Sequence, residues 1–423
     1  MRKYAHAAAV TLTAAVIASA AKAQAPQGGI TAYEDARIIV GDGRAIENGT
    51  LVVDGTRLTQ VGRTIDVRVP ATARRVSLAG KTVMPTLIDT HTHLSHSREA
   101  LTKDLLHRAY FGVSAVMSLG QDTGELLPMR DETIPGAARY FSAGRAITTP
   151  EPGCNMTPYW ITTEPEGRKA VRELVAEKVD IIKIVVDTWW GRYKKMSPEL
   201  YAALIDEAHQ HGMRVTAHIR DLEDAKGLIR AKVDAFAHGV RSSDVDEEAI
   251  ALYRSDPKLV VVPTLPNRGV RLDLSWLRDS VPSALMAQLD AVNTDKPDVQ
   301  AAFWIQARNL GRVAAAGVRI ALGTDANTSW APHNQMADMV LAGMTPMQVI
   351  VAATRNSAEF LHMDDAGTLA PGKVADFIVL DANPLDEITN TRRIAAVYLH
   401  GALLDRRLGW GGGVPGHSQL CTP

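Results

Sequence analysis

Hydrophobic positions along this chain gather in short continuous runs, and the segments between the runs carry a helical period. Eight such runs occupy 82–93, 114–120, 138–147, 180–187, 213–219, 234–239, 258–265 and 318–325. Apolar, β-branched runs of this length read as strands buried on both faces, as in a parallel sheet. Most gaps predict helices: 99–112, 166–178, 199–212, 221–232 and 244–254. Ser197-Pro198 opens the third helix with proline at its first position, and Gly212 lies at its end. Strand and helix in alternation predict an α/β chain with a parallel sheet. Eight units predict a (β/α)8 TIM barrel, whose function gathers at the C-terminal ends of the strands.

Two flanking regions do not fit a barrel. Residues 30–81 hold short strands at 36–40, 49–53 and 57–61, and residues 366–405 hold strands at 375–380 and 396–399. The barrel then spans 82–365, and 406–423 is a Gly-rich tail read as flexible. The segment 263–300 is long for a loop and is expected to form helical cover over the barrel mouth. Substrate choice is expected there and in the loop 148–163, which carries Cys154, Tyr159 and Trp160.

The first 23 residues carry a different pattern. Arg2-Lys3 precedes an alanine-rich apolar run from Ala7 to Ala20, and Ala21-Lys22-Ala23 has the small-x-small form of a cleavage site. This predicts a signal peptide over 1–23 and a secreted or periplasmic mature protein. The run is too short and too alanine-rich for a comfortable span of ~20 residues. No membrane association is expected after cleavage. With 46 basic and 47 acidic residues, net charge -1, nothing points to nucleic acid. Two cysteines, Cys154 and Cys421, make no disulfide scaffold.

The chemistry begins at Thr90-His91-Thr92-His93. Side chains at i and i+2 of a strand share a face, so His91 and His93 converge at the strand's C-terminal end, where two imidazoles can grip one divalent metal. Alone, this pattern is a weak signal, more often two histidines capping a strand. Further candidates stand at or near later strand ends: Lys183 in Ile182-Lys183-Ile184, His218 after Ala217, His238 before Gly239, and Asp325 after Gly323-Thr324. Each has a bland reading. His218 and His238 could be satisfied core histidines, Asp325 a helix cap, and Lys183 a buried stem whose amine reaches a carboxylate. Six such residues in order at strand ends are improbable by chance.

The series His-x-His, Lys, His, His, Asp resembles the metal-dependent amidohydrolase superfamily from about residue 30 to 405. Met84-Pro85, Gly323-Thr324-Asp325 and Gly372-Lys373-Val374-Ala375-Asp376-Phe377 match its flanking motifs. The lysine in the fourth strand resembles the imidazolonepropionase-like and Xaa-Pro dipeptidase-like branch, which includes ochratoxin-hydrolysing amidases. That resemblance implies a small β-sandwich built from 30–81 and 366–405. It also implies a binuclear centre: His91, His93 and Asp325 on one ion, His218 and His238 on the other, and carboxylated Lys183 bridging both. Zinc suits such ligands. Metal-activated hydroxide would then hydrolyse an amide or peptide-type C–N bond in a dipeptide, N-acyl amino acid or similar small molecule. Asp325 would act as general base, and His238 would assist as an electrophile if the site held one ion. Homo-oligomers are common among such relatives.

The pattern departs from the branch in two places. Pro152-Gly153-Cys154-Asn155 stands where dipeptidase-like members carry Gly-Gly-His, and Ile219-Arg220 follows His218. These leave the metal ligands intact and put a dipeptide substrate in doubt. A carbamate, lactone or ester remains an alternative substrate for the same site. A non-catalytic binding protein would have lost a ligand, and a deaminase would lack Lys183. Arg220, Arg241 and Arg268 follow strands five, six and seven and are candidates to clamp a substrate carboxylate. His333, Tyr159 and Cys154 are further candidates for substrate contact.

Overall fold

The computed structural model describes residues 29–153 and 157–406. The proposed signal peptide, the Gly-rich tail, Cys154 and Cys421 lie outside the described residues. Parallel strands alternate with helices through the middle of the chain, giving the expected α/β organisation. These strands form two sheets. Leu87–Thr92, Val113–Gly120 and Arg139–Arg145 make a three-stranded sheet. Ile147–Thr148, Ile182–Val186, Val215–Ile219, Ala235–Phe236, Val260–Val261 and Arg319–Ile320 follow one another in a seven-stranded sheet, with Tyr159–Trp160 on its outer edge. Every residue of Ile182–Val186 and Val215–Ile219 is buried, as helices on one face and packed side chains on the other require.

Two predicted strands are broken. The run 138–147 is interrupted at Ala146 and contributes to both sheets. The run 82–93 divides at Thr86. Thr82–Pro85 pairs antiparallel with Phe377–Leu380 and parallel with Ile30–Ile39, whereas Leu87–Thr92 pairs with Val113–Gly120. Both halves are apolar, because both are buried, so hydrophobic patterning shows no seam between them.

Both ends of the described chain join in one eight-stranded sheet, with Ile30–Ile39, Ala45–Asp54 and Arg57–Arg63 on one side of Thr82–Pro85, Phe377–Leu380, Ile394–Leu399 and Ala402–Leu403 on the other, and Arg74–Ser77 paired with Ile30–Ile39. All of its strands pair within one hydrogen-bonded network. Phe377 stacks on Tyr398 with ring centroids 4.4 Å apart, and Tyr33 meets both edge-on.

Helix starts follow the capping chemistry. Ser97 accepts from Ala100 N ahead of Arg98–Tyr110, Ser197 from Leu200 N ahead of Pro198–Gln210, and Asp246 from Ala249 N ahead of Glu247–Ser255. The long segment after the seventh strand contains the helix Ser283–Val292. Its Leu274, Leu277, Val281, Leu285 and Met286 pack on Phe111 and Trp330, at the C-terminus of one helix and the N-terminus of another. The cover it provides is therefore to the helical layer. Among the described residues, no helix is long and apolar enough to cross a membrane.

Candidate metal centre

The backbone brings the last strand directly against the first. Thr90 N donates to Leu322 O at 2.8 Å, and Thr324 N and Asp325 N donate to His91 O at 2.9 and 2.8 Å. Gly323 permits this approach: a Cβ there would lie 2.2 Å from Val262 Cγ1 and 2.8 Å from His91 Cβ. Asp325 itself has φ +54°, a left-handed conformation that costs a non-glycine residue energy and recurs at functional sites. The turn aims its carboxylate at the histidines. Oδ1 lies 3.2 Å from His91 Nε2 and 3.0 Å from His93 Nε2, and Oδ2 lies 3.8 Å from His238 Nδ1. The ring of His238 is 4.9 Å from that of His91 and 4.4 Å from that of His218.

Five of the six predicted ligands thus form one continuous cluster. Lys183 is the sixth, buried in the strand Ile182–Val186, with Asp325 the carboxylate whose field acts on it. No carboxylate among the described residues lies within ion-pair distance of its amine, which removes the bland reading of a stem reaching to an acid. Burial, with Arg241 adding to it, pushes the amine down to about 7 against the pull of Asp325. Burial likewise lowers His91 and His218 to about 4, and His238 well below its usual value. Burial would raise Asp325, but the surrounding imidazoles hold its carboxyl well below the usual range. At neutral pH His91, His218 and His238 are therefore neutral imidazoles and Asp325 a carboxylate, the ionisation state a metal requires.

Donor geometry fits a divalent ion. Donor atoms of His91, His93 and Asp325 all lie within 4.8 Å of one another. His91 Nε2 is buried and makes no hydrogen bond, while its Nδ1 is fixed by Ala237 O at 2.9 Å. His238 Nδ1 is held by Thr264 Oγ1 at 2.6 Å, and His218 Nε2 by Asp187 Oδ2 at 3.0 Å. His91 thus has one nitrogen anchored by protein and the other, Nε2, buried and left for a ligand, the arrangement that orients metal-binding imidazoles.

Several of these supporting residues were not predicted from sequence. Asp89 and Arg108, both fully buried, sit behind the cluster. Asp89 accepts from Thr324 Oγ1 at 2.7 Å and from His91 N at 3.2 Å, and Arg108 Nη1 lies 3.5 Å from it. Arg108 Nη2 donates to Thr92 Oγ1 at 2.5 Å, and Thr92 Oγ1 in turn donates to Ala326 O. One guanidinium thereby braces the strand bearing His91 and His93 against the turn bearing Asp325. Burial raises Asp89 to about 6 despite Arg108. Arg108→Met is expected to lower stability by ~3–5 kcal/mol, because it strands a buried acid. Denaturant unfolding of the two proteins checks this.

The substrate-contact candidates divide. Arg268 is taken by Asp338, with Nε 2.8 Å from Oδ1, and Arg220 lies over the Trp190 ring at 4.5 Å. Tyr159 lies under the Arg145 guanidinium at 3.9 Å. His333 is fully buried among helices: Nε2 donates to Phe111 O at 2.9 Å and Nδ1 lies 3.1 Å from Thr391 Oγ1. Both nitrogens are used, so the ring is a packing element. Only Arg241 keeps buried guanidinium nitrogens, Nε and Nη2, without a partner among these three arginines.

His333 gives the fold a pH dependence. Burial lowers it to about 4, against ~6.5 unfolded. The unfolded chain binds the extra proton first, so stability is full above ~6.5 and falls as pH drops toward about 4. Acid unfolding of His333→Gln compared with the parent should show a smaller loss across that window.

Comparison with known proteins agrees with this geometry. The family model described as "Amidohydrolase family" matches residues 82–404. An imidazolonepropionase from Paracoccus denitrificans is 28% identical over 406 residues, covering 86% of this chain and 94% of its own. A candidate prolidase from Bifidobacterium longum superposes with TM-score 0.72 at 27% identity, covering 93% of this chain and 97% of that one. Ochratoxinase from A. niger shares the fold, with TM-score 0.67 at 23% identity over 91% of this chain and 97% of that one. The chain belongs to the amidohydrolase family and is a hydrolase acting on C–N bonds.

Proposed function

We propose that this protein is an exported, binuclear metal-dependent amidohydrolase that cleaves an amide or peptide-type C–N bond in a small molecule such as an N-acyl amino acid. The observation that carries the reading is the convergence of His91, His93 and His238 on the Asp325 carboxylate, with His218 beside His238. His91, His93 and Asp325 would hold one ion, and His218 and His238 the other. Zinc suits this donor set. Such ions supply an acidified water and polarise the scissile carbonyl.

Lys183 supplies the link between the two halves. Its amine is buried and poised near neutrality. As the free base, Nζ forms a bond to the carbon of carbon dioxide and loses a proton, leaving a carbamate anion. That anion would offer two oxygens where the strand otherwise presents one amine nitrogen. Asp325 then has two tasks: an oxygen accepts a proton from the attacking water, and the same carboxyl gives it to the leaving amine nitrogen.

The barrel is the scaffold we propose for this centre. The bonds from Thr90 N to Leu322 O and from Thr324 N to His91 O support closure of the two parallel sheets into one ring of eight strands. The eight-stranded sheet of the chain ends would then be the small terminal domain.

A panel of N-acyl amino acids, an aryl carbamate and a γ-lactone, assayed with the zinc-loaded protein, tests the function. Amide turnover above the other two classes is expected. Turnover of the lactone or carbamate alone would replace the reading with the alternative substrate class.

A further inference from the structure

The loop after the sixth central strand starts at the cluster residue His238 and carries Arg241, whose charge acts on Lys183, His218 and His238. Arg241 N and Ser242 N both donate to Arg220 O, at 2.9 and 3.2 Å, so the loop is fastened to the end of the neighbouring strand. The side chain is not fastened. Its Nε and Nη2 are buried, and among the described residues neither has a hydrogen-bond partner. Arg108 and Arg268 differ in that each reaches a carboxylate: Arg108 Nη1 meets Asp89, although its Nε is also without a partner, and Arg268 Nε meets Asp338.

The nearby acids do not fill this role. Asp325 and Asp187 are the carboxylates whose fields reach Arg241. Asp325 Oδ1 faces His91 and His93, and its Oδ2 lies nearer His238. Asp187 receives His218 Nε2 at 3.0 Å and Trp189 N at 2.8 Å. A buried guanidinium without an acceptor is strongly unfavourable. Divalent ions beside it would add positive charge, which the single negative charge of a carbamate on Lys183 offsets only in part.

We propose that Arg241 determines specificity in this site: Nε and Nη2 bind the carboxylate of the substrate through paired N–H···O bonds, so the enzyme selects small amides that carry a free carboxylate. The inference rests on the amide-hydrolase reading above. Guanidinium nitrogens arranged as a fork match the two oxygens of a carboxylate, which a lysine ammonium cannot do. Arg220, held over Trp190, adds a second positive charge on the adjoining loop.

Binding and turnover separate the two claims. Acid–carboxamide pairs, N-acetyl-L-phenylalanine, N-acetyl-L-methionine and N-acetyl-L-proline against their amides, are titrated calorimetrically into the zinc-loaded mature protein, Arg241→Met and Arg241→Lys. At least one acid is expected to bind the parent about ten-fold or more tighter than its amide. In Arg241→Met, acid affinity should fall by about 10²-fold, amide affinity should change by less than about three-fold, and zinc content should stay at the parental value. Arg241→Lys should lose roughly ten-fold on the acid. It decides the matter should the methionine variant not fold. Equal acid and amide binding by the parent overturns the proposal, as does unchanged acid binding in either variant or loss of zinc in both. If the acids bind through Arg241 and no amide is hydrolysed, the clamp stands and the hydrolase reading falls. If amides are hydrolysed without acid preference, only the clamp falls.

Discussion

Asp325→Asn should lower kcat by at least ~10³-fold while the protein stays folded, the range expected when a positioned proton-transfer group is lost. The carboxylate sits in a left-handed turn, buttressed by Thr324 N and Asp325 N on His91 O. It is the acceptor toward which His91 and His93 both point. An amide oxygen keeps the shape but cannot take the proton of the attacking water or return it to the leaving amine. Because the same group is a predicted metal ligand, kcat must be measured alongside zinc content. A loss of kcat with zinc retained assigns the proton-transfer role, and a loss that tracks zinc assigns ligation alone.

Removing metal should have an effect of similar size. A strong chelator is expected to abolish turnover, and zinc should restore it. Its pH dependence distinguishes the ligands. His91 and His218, at about 4, are already neutral at pH 6, and Asp325 is already a carboxylate, so they present no proton barrier to reloading. Lys183, at about 7, is different. Below that pH its amine is a cation and cannot capture carbon dioxide. Above it the free base can. Reactivation should therefore rise through about 7 and depend on added bicarbonate. Reactivation that is flat from pH 6 to 8 and indifferent to bicarbonate would argue against a carbamate. A destabilised apo protein is a further expectation, since a ligand that binds only the folded chain stabilises it by mass action.

How much of this was legible in the sequence follows from which forces are local. Helix starts were legible because capping uses neighbours three residues apart, as at Ser97, Ser197 and Asp246. The six candidate ligands were legible because each ends or lies within an apolar run that already predicted a strand. The break at Thr86 was not, because Thr82–Pro85 and Leu87–Thr92 are equally buried in different sheets. Nor was the sheet of the chain ends, since its partners Thr82–Pro85 and Phe377–Leu380 are almost 300 residues apart. Arginines posed the hardest case. Arg241 and Arg268 look alike in sequence. Arg268 is paired with Asp338, a contact across 70 residues, whereas Arg241 Nε and Nη2 have no hydrogen-bond partner among the described residues. Asp89 and Arg108 were passed over for the same reason, although a charged residue inside an apolar strand is a signal that could have found Asp89.

Metal content per chain, measured on the purified protein beside Lys183→Ala, tests the central claim most directly. The account predicts about two divalent ions in the parent, the count a binuclear site requires, with one or both lost in the variant. A single ion per chain, unchanged by the substitution, would contradict the carbamate-linked binuclear centre and leave a mononuclear site built on His91, His93 and Asp325.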